Sequence, residues 1–108
     1  LLTPEPHLRY SGMVHGWLAG QHGEGDGLVD LAALAARAGA ELILDRCAAL
    51  DPDAQVVTTA QGREIGFGIA SFDTGGEGQG ERLLGADPRR IEVRPIRAFV
   101  ERLAMLRA

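Results

Sequence analysis

The sequence contains neither lysine nor asparagine, and all eleven of its basic residues are arginine. Without lysine there is no Schiff-base chemistry and no phosphate loop of the lysine-containing type. A single cysteine, Cys47, leaves no internal disulfide, which suits a reducing compartment; a cytoplasmic, bacterial protein is the expectation. Aromatic residues are few, with one Trp, one Tyr and three Phe, so any core must be built from Leu, Val, Ile and Ala. No apolar run approaches the roughly 20 residues that span a bilayer. A net charge of −4 leaves no excess of cations, which argues against nucleic acid or an anionic membrane surface as a partner of this chain.

Within those bounds, 108 residues and a 45% hydrophobic content read as one folded domain. Asp30 is placed to cap a helix from Leu31 to Ala38, with Gly39 at the position that favours left-handed backbone. Leu31, Leu34 and Ala35 mark its buried side. Glu41 to Leu50 reads as a strand, bent near Arg46-Cys47. Asp51-Pro52-Asp53-Ala54 is a turn, Val56 to Thr59 is β-branched throughout, and Gln61-Gly62 suits a tight hairpin into Arg63 to Phe67. The outcome is a three-stranded antiparallel meander. Upstream, Ser11 is placed to cap a short helix in which Val14, Trp17 and Leu18 share a face. Downstream, Ile91 to Ile96 is extended, and Ile96, Phe99, Val100, Leu103 and Leu106 recur at helical spacing.

The stretch around which these elements are arranged is Ile69-Ala70-Ser71-Phe72-Asp73-Thr74-Gly75-Gly76. It reads as a strand running into a glycine corner, where backbone N–H groups can approach a ligand without a Cβ in the way. The ordinary alternative is a strand ending in a plain turn. Glu77 to Asp87 reads as loop.

Taken in order, Tyr10-Ser11-Gly12-Met13, Asp30-Leu31-Ala32-Ala33-Leu34-Ala35, Gly39-Ala40-Glu41, the meander, Ser71-Phe72-Asp73-Thr74-Gly75 and Val93-Arg94-Pro95-Ile96 form a pattern. It resembles the FAD-binding domain of the pyridine nucleotide-disulfide oxidoreductases, in the NADH dehydrogenase-like branch related to type II NADH:quinone and sulfide:quinone oxidoreductases. The resemblance implies an α/β fold, a partial Rossmann-like FAD-binding domain with the meander and flanking helices. It implies FAD as cofactor, NAD(P)H as substrate of a parent enzyme, and a quinone-like acceptor. It places Thr3 at the adenosine ribose, where such domains carry an acidic residue, so that either Glu5 substitutes or no carboxylate is used. Tyr10, Ser11, Gly12 and Met13 would lie against the flavin, and Thr74, Gly75 and Gly76 would offer main-chain amides to FAD. The chain departs from the pattern at His15, where proline is usual, at Phe67-Gly68, where an aromatic-Asp pair is usual, and at Gly76-Glu77-Gly78, where the corner usually continues to proline.

No Gly-x-Gly-x-x-Gly opens a helix after a strand. The expectation is therefore a central piece of an FAD-binding domain, spanning residues 1–108, without the glycine-rich loop or the NADH-binding domain. Alone, such a piece is expected to be inactive, to bind FAD weakly or not at all, and to form a homodimer or swapped assembly through an uncovered sheet edge. Its natural partners are the missing parts of the parent, and a membrane surface enters only for that parent. The rival reading is a stand-alone α+β protein-interaction module. Other candidates carry little. His7, His15 and His22 match no metal-ligand spacing, no catalytic residue stands out, Cys47 reads as a small buried hydrophobe, and the charged residues Glu81, Arg82, Asp87, Arg89 and Arg90 read as a solvated face.

Overall fold

The computed structural model describes residues 1–108. Its elements follow in the order β1 (Leu2–Thr3), β2 (His7–Arg9), a 3-10 turn (Ser11–Met13), α1 (Val14–Leu18), β3 (Leu28–Asp30) and α2 (Leu31–Ala38). Then come β4 (Ile43–Leu44), β5 (Cys47–Asp51), β6 (Val56–Thr59), β7 (Glu64–Gly66), α3 (Gly80–Leu84) and α4 (Ile96–Arg107). The fold is mixed α/β, with a three-stranded antiparallel sheet and flanking helices. It divides into one unit of Leu1–Leu8 with Val29–Phe72 and a second of Arg9–Leu28 with Asp73–Ala108. The short strands β2 and β3 pair with each other where the chain passes between units. No helix is long and apolar enough to cross a membrane.

In the first unit, α2 forms where the capping chemistry is. The Asp30 carboxylate accepts from the N–H groups of Ala32 and Ala33 at 2.9 and 3.0 Å, and Gly39 closes the helix at φ 64. Leu31 and Ala35 are buried; Leu34, expected beside them, is 47% exposed, because the buried stripe of this eight-residue helix is only two residues wide. β1 and β4 pair in parallel, Leu2 with Ile43 and Thr3 with Leu44, and the connection between them contains α2. The meander β5-β6-β7 is antiparallel, with an irregularity between Cys47 and Ala49. Its central strand β6 supplies the buried side chains, Val57 and Thr59.

Three further expectations fail in this unit. The strand expected over Glu41 to Leu50 is two strands, because Asp45 turns its carboxylate onto the N–H of Arg46 at 2.7 Å and breaks the ladder. Cys47 is exposed, since β5 has one neighbour and buries none of its side chains. Ile69–Phe72 is not a strand. No backbone pairing holds it, and Ile69 is 95% exposed; a lone apolar run with no ladder to join has nothing to fix it as β-structure.

The second unit is built on Trp17, which is 2% exposed and packs with the buried Phe99 and Val100 of α4. Met13, Val14, Ile91, Ile96 and Leu103 surround them. The indole Nε1–H donates to the Gly23 carbonyl at 3.2 Å, so burying this ring leaves its polar atom satisfied. Ser11 does not cap α1. It lies inside the 3-10 turn, whose last residue, Met13, occupies the cap position without a side-chain hydrogen bond. Leu18 is 51% exposed, and the expected loop over Glu77 to Asp87 contains α3.

Two outcomes are expected. Trp17→Ala removes the largest buried side chain of the second unit and lowers its unfolding free energy by about 3–5 kcal/mol, read by denaturant titration. Acid acts on the first unit. The Thr59 hydroxyl, then the Arg46 and Gln61 N–H groups, hold the Asp45 carboxyl below its ordinary value against partial burial, and the Ala33 N–H does the same for Asp30. A carboxyl whose folded pKa is depressed stabilises the fold above the ordinary aspartate value of about 3.9 and loses that contribution as pH falls through its folded pKa. Stability is therefore flat from neutral pH down to that value and then drops, and Asp45→Asn shrinks the drop while lowering the neutral plateau.

Candidate functional site

Seven of the eight residues that the sequence reading assigns to the cofactor lie in the second unit, in two short segments. The first is the turn Tyr10–Met13. The Tyr10 N–H donates to the Gly27 carbonyl at 2.9 Å, and the Met13 N–H returns to the Tyr10 carbonyl at 3.2 Å. Gly12 lies beneath the tyrosine ring, where an added Cβ would come within 2.7 Å of Tyr10 Cζ. The ring itself is 62% exposed, an aromatic surface presented to solvent and lying over Gly12. Met13 faces the other way, into the Trp17 cluster.

The turn is strapped by the loop of residues 20–27. The Gly23 N–H donates to Asp26 Oδ2 at 2.7 Å, and Arg9 Nη1 donates to the Glu24 carbonyl at 2.5 Å. Gly27, which the sequence reading did not single out, is closely packed: at φ 72, a Cβ there would lie 2.5 Å from Met13 Sδ and 3.4 Å from the Trp17 ring. The signal for it in the sequence is the last of three alternating glycines, Gly23, Gly25 and Gly27, directly before the apolar pair Leu28-Val29.

The second segment, Thr74-Gly75-Gly76, is exposed and belongs to no helix or strand. Gly75 has φ 70, and nothing lies within 4 Å of where its Cβ would be, nor of that of Gly76. The corner is open, with main chain free to meet a ligand. The glycines further on are engaged. Added Cβ atoms on Gly78 and Gly80 would fall 2.3 and 2.2 Å from the Glu92 carboxylate oxygens, so their bareness makes room for the Glu92–Arg90 ion pair, 3.3 Å apart. No hydrogen bond links Tyr10–Met13 to Thr74–Gly76. Thr3, the eighth residue, is in the first unit, and its hydroxyl is taken up locally, donating to the Glu5 carbonyl at 3.1 Å and accepting from the Glu5 N–H at 3.4 Å.

The charged stretch expected to be a solvated face is only partly so. Asp87 and Arg89 form an exposed pair at 2.8 Å, which holds the Asp87 carboxyl below its usual range and raises the arginine. Arg90 departs from the expectation: its side chain is 22% exposed, because the segment through Ile91 is drawn onto the Trp17 cluster.

No protein-family model matches the chain, and no curated protein matches it. Among solved structures it is similar to a sulfide:quinone oxidoreductase from the hyperthermophilic bacterium Aquifex aeolicus, at 28% sequence identity with a TM-score of 0.60. The match covers 75% of this chain and 20% of that one, so the chain spans about a fifth of the length of the protein it matches.

The two glycine environments separate in a simple experiment. Gly27→Ala and Gly75→Ala both force alanine into left-handed backbone, at a cost of about 1–2 kcal/mol each, but only Gly27→Ala also displaces Met13 Sδ. Denaturant titration is expected to show Gly27→Ala as the more destabilised of the two.

Proposed function

We propose that this chain is part of the FAD-binding region of a flavin-dependent quinone oxidoreductase of the NADH dehydrogenase-like kind. The observation that carries the reading is the similarity to a sulfide:quinone oxidoreductase over 75% of this chain and 20% of that one. The open Thr74–Gly76 corner and the exposed Tyr10 ring are in keeping with it. These residues do not by themselves enclose a flavin; they fit one wall of a site whose remainder comes from elsewhere in the parent. When bound there, the flavin supplies electron transfer between a nicotinamide and a quinone-like acceptor. This chain's share is positioning. Gly75 and Gly76 expose amides to an acceptor group, and Tyr10 offers a flat apolar surface on the rigid turn over Gly12.

The exposed Ile69 and Phe72 and the two-residue parallel pair β1–β4 are the surfaces we assign to contact with the rest of that parent, or with a second copy when the chain is alone. The parent is a cytoplasmic enzyme that meets the membrane only at its surface.

The coding sequence upstream of Leu1 decides first. A strand followed by Gly-x-Gly-x-x-Gly supports the proposal, whereas a start codon at this point favours a stand-alone interaction module. The product of the whole gene is expected to purify with flavin absorbance and to reduce a soluble quinone with NADH. Reduction with sulfide but not NADH would overturn the donor while keeping the reaction class. The 108-residue chain alone is expected to take up FAD only weakly and to sediment as a dimer; stoichiometric flavin would contradict the first statement and a monomer at high concentration the second.

A further inference from the structure

The charge of this chain is unevenly laid out. Residues 88–108 hold six of the eleven arginines and only two of the fifteen carboxylates, while residues 1–87 hold five and thirteen. Within an acidic protein, that end is strongly basic. Three of its arginines, Arg90, Arg94 and Arg102, line a single groove of about 430 Å³ between residues 88–92 and the start of α4. Arg94 lies just before α4, and Arg102 lies one turn beyond Ala98 on the same side of that helix. The volume lies in the range of small-molecule sites.

Few of the donors in this groove are used. Arg90 Nη1 donates to the Gly85 carbonyl, and Arg102 Nη2 donates to the Pro88 carbonyl at 3.3 Å. Arg94 and Arg102 have no carboxylate partner. Arg90 Nε is shut off from solvent and makes no hydrogen bond, although Glu92 Oε1 stands 3.3 Å away. A buried guanidinium N–H without an acceptor costs free energy unless something occupies it. The start of α4 adds to the same imbalance. This twelve-residue helix begins at Pro95 with no side-chain cap and has no acidic residue in its first turn, so its first N–H groups and the positive end of its dipole are uncompensated.

The remaining walls are the Glu92 carboxylate and the apolar residues Pro88, Ile91, Pro95 and Ala98. Guanidinium forks beside a helix start match the geometry of a tetrahedral oxyanion, and an apolar floor beside them suits the organic part of the same molecule. We propose that the groove between residues 88–92 and the start of α4 is a binding site for a phosphate monoester carrying a compact apolar body. None of its residues is assigned to FAD, although Arg94 and Pro95 belong to the stretch that carries the family resemblance.

The test is calorimetric titration of the 108-residue chain with phenyl phosphate, inorganic phosphate and vesicles of phosphatidic acid in phosphatidylcholine. Phenyl phosphate is expected to bind saturably, about tenfold tighter than inorganic phosphate through the apolar floor, and to weaken with added salt. Arg94→Gln, a change at an exposed side chain, is expected to reduce affinity about tenfold, and Glu92→Gln to increase it by removing the competing carboxylate. Arg37→Gln, far along the sequence on α2, serves as the charge control and is expected to leave binding unchanged. In the unaltered chain, phenyl phosphate is expected to shift the backbone amide resonances of Ile91, Arg94 and Ala98. Absence of saturable binding, an equal loss in Arg37→Gln, resonance shifts clustered elsewhere, or binding to the vesicles alone would each overturn the proposal.

Discussion

One carboxylate holds the first unit together. Asp45 accepts from the Arg46 N–H at 2.7 Å, from the Gln61 N–H at 3.2 Å and from the Thr59 hydroxyl, while its own N–H donates to the Thr3 carbonyl at 3.0 Å. Through that single residue the parallel pair β1–β4, the first strand of the meander and the β6–β7 hairpin are tied to one another. Thr59 passes the connection on, since its oxygen also accepts from the Arg63 N–H at 3.1 Å, and it is 2% exposed. A buried hydroxyl with both donor and acceptor capacity used contributes as part of a network; either half removed leaves the other unsatisfied. With only Val57, Leu31 and Ala35 as buried apolar residues, this unit depends on polar connections to an unusual degree.

The second unit works the other way. Its order comes from one indole ring and the two side chains of α4 against it, and its glycines serve mainly to let side chains come close. Gly12 lies under Tyr10, Gly27 meets Met13, and Gly78 and Gly80 make space for Glu92. Gly75 and Gly76 are different: nothing lies within 4 Å of a Cβ at either, and they stand side by side in exposed chain outside any helix or strand.

Much of this was legible where the responsible interaction is local. The helix between Asp30 and Gly39 is bounded by its own caps, the Val56–Thr59 strand by β-branching, and the hairpin by Gly62 at φ 85. The turn at Asp51 is held as its chemistry predicts, with Oδ1 accepting from Asp53 and Ala54. What escaped was set by distant partners. Ile69–Phe72 has strand composition and no neighbour to pair with. Cys47 has apolar character and sits on an uncovered strand. Arg90 is burdened with a partly buried guanidinium because Ile91, the next residue, is needed in a core nearly eighty residues from Met13. Of the candidate site, the turn over Gly12 and the open corner at Gly75 were readable as glycine positions, but their separation into two unlinked segments was not.

The unpaired run after the meander has a thermodynamic corollary. Between Phe67, whose N–H reaches Gln55, and Gly78, whose N–H reaches Arg94, the main chain makes no backbone hydrogen bond. Its amides should therefore exchange with deuterium at close to the rate of free peptide, while those of β6 are protected. Any molecule gripped by Thr74–Gly76 must freeze this tether, at about 1–2 kcal/mol for each residue immobilised. The measured affinity at that corner would report contact strength minus the entropy of taming the tether, and shortening or stiffening the run would tighten binding without adding a single contact.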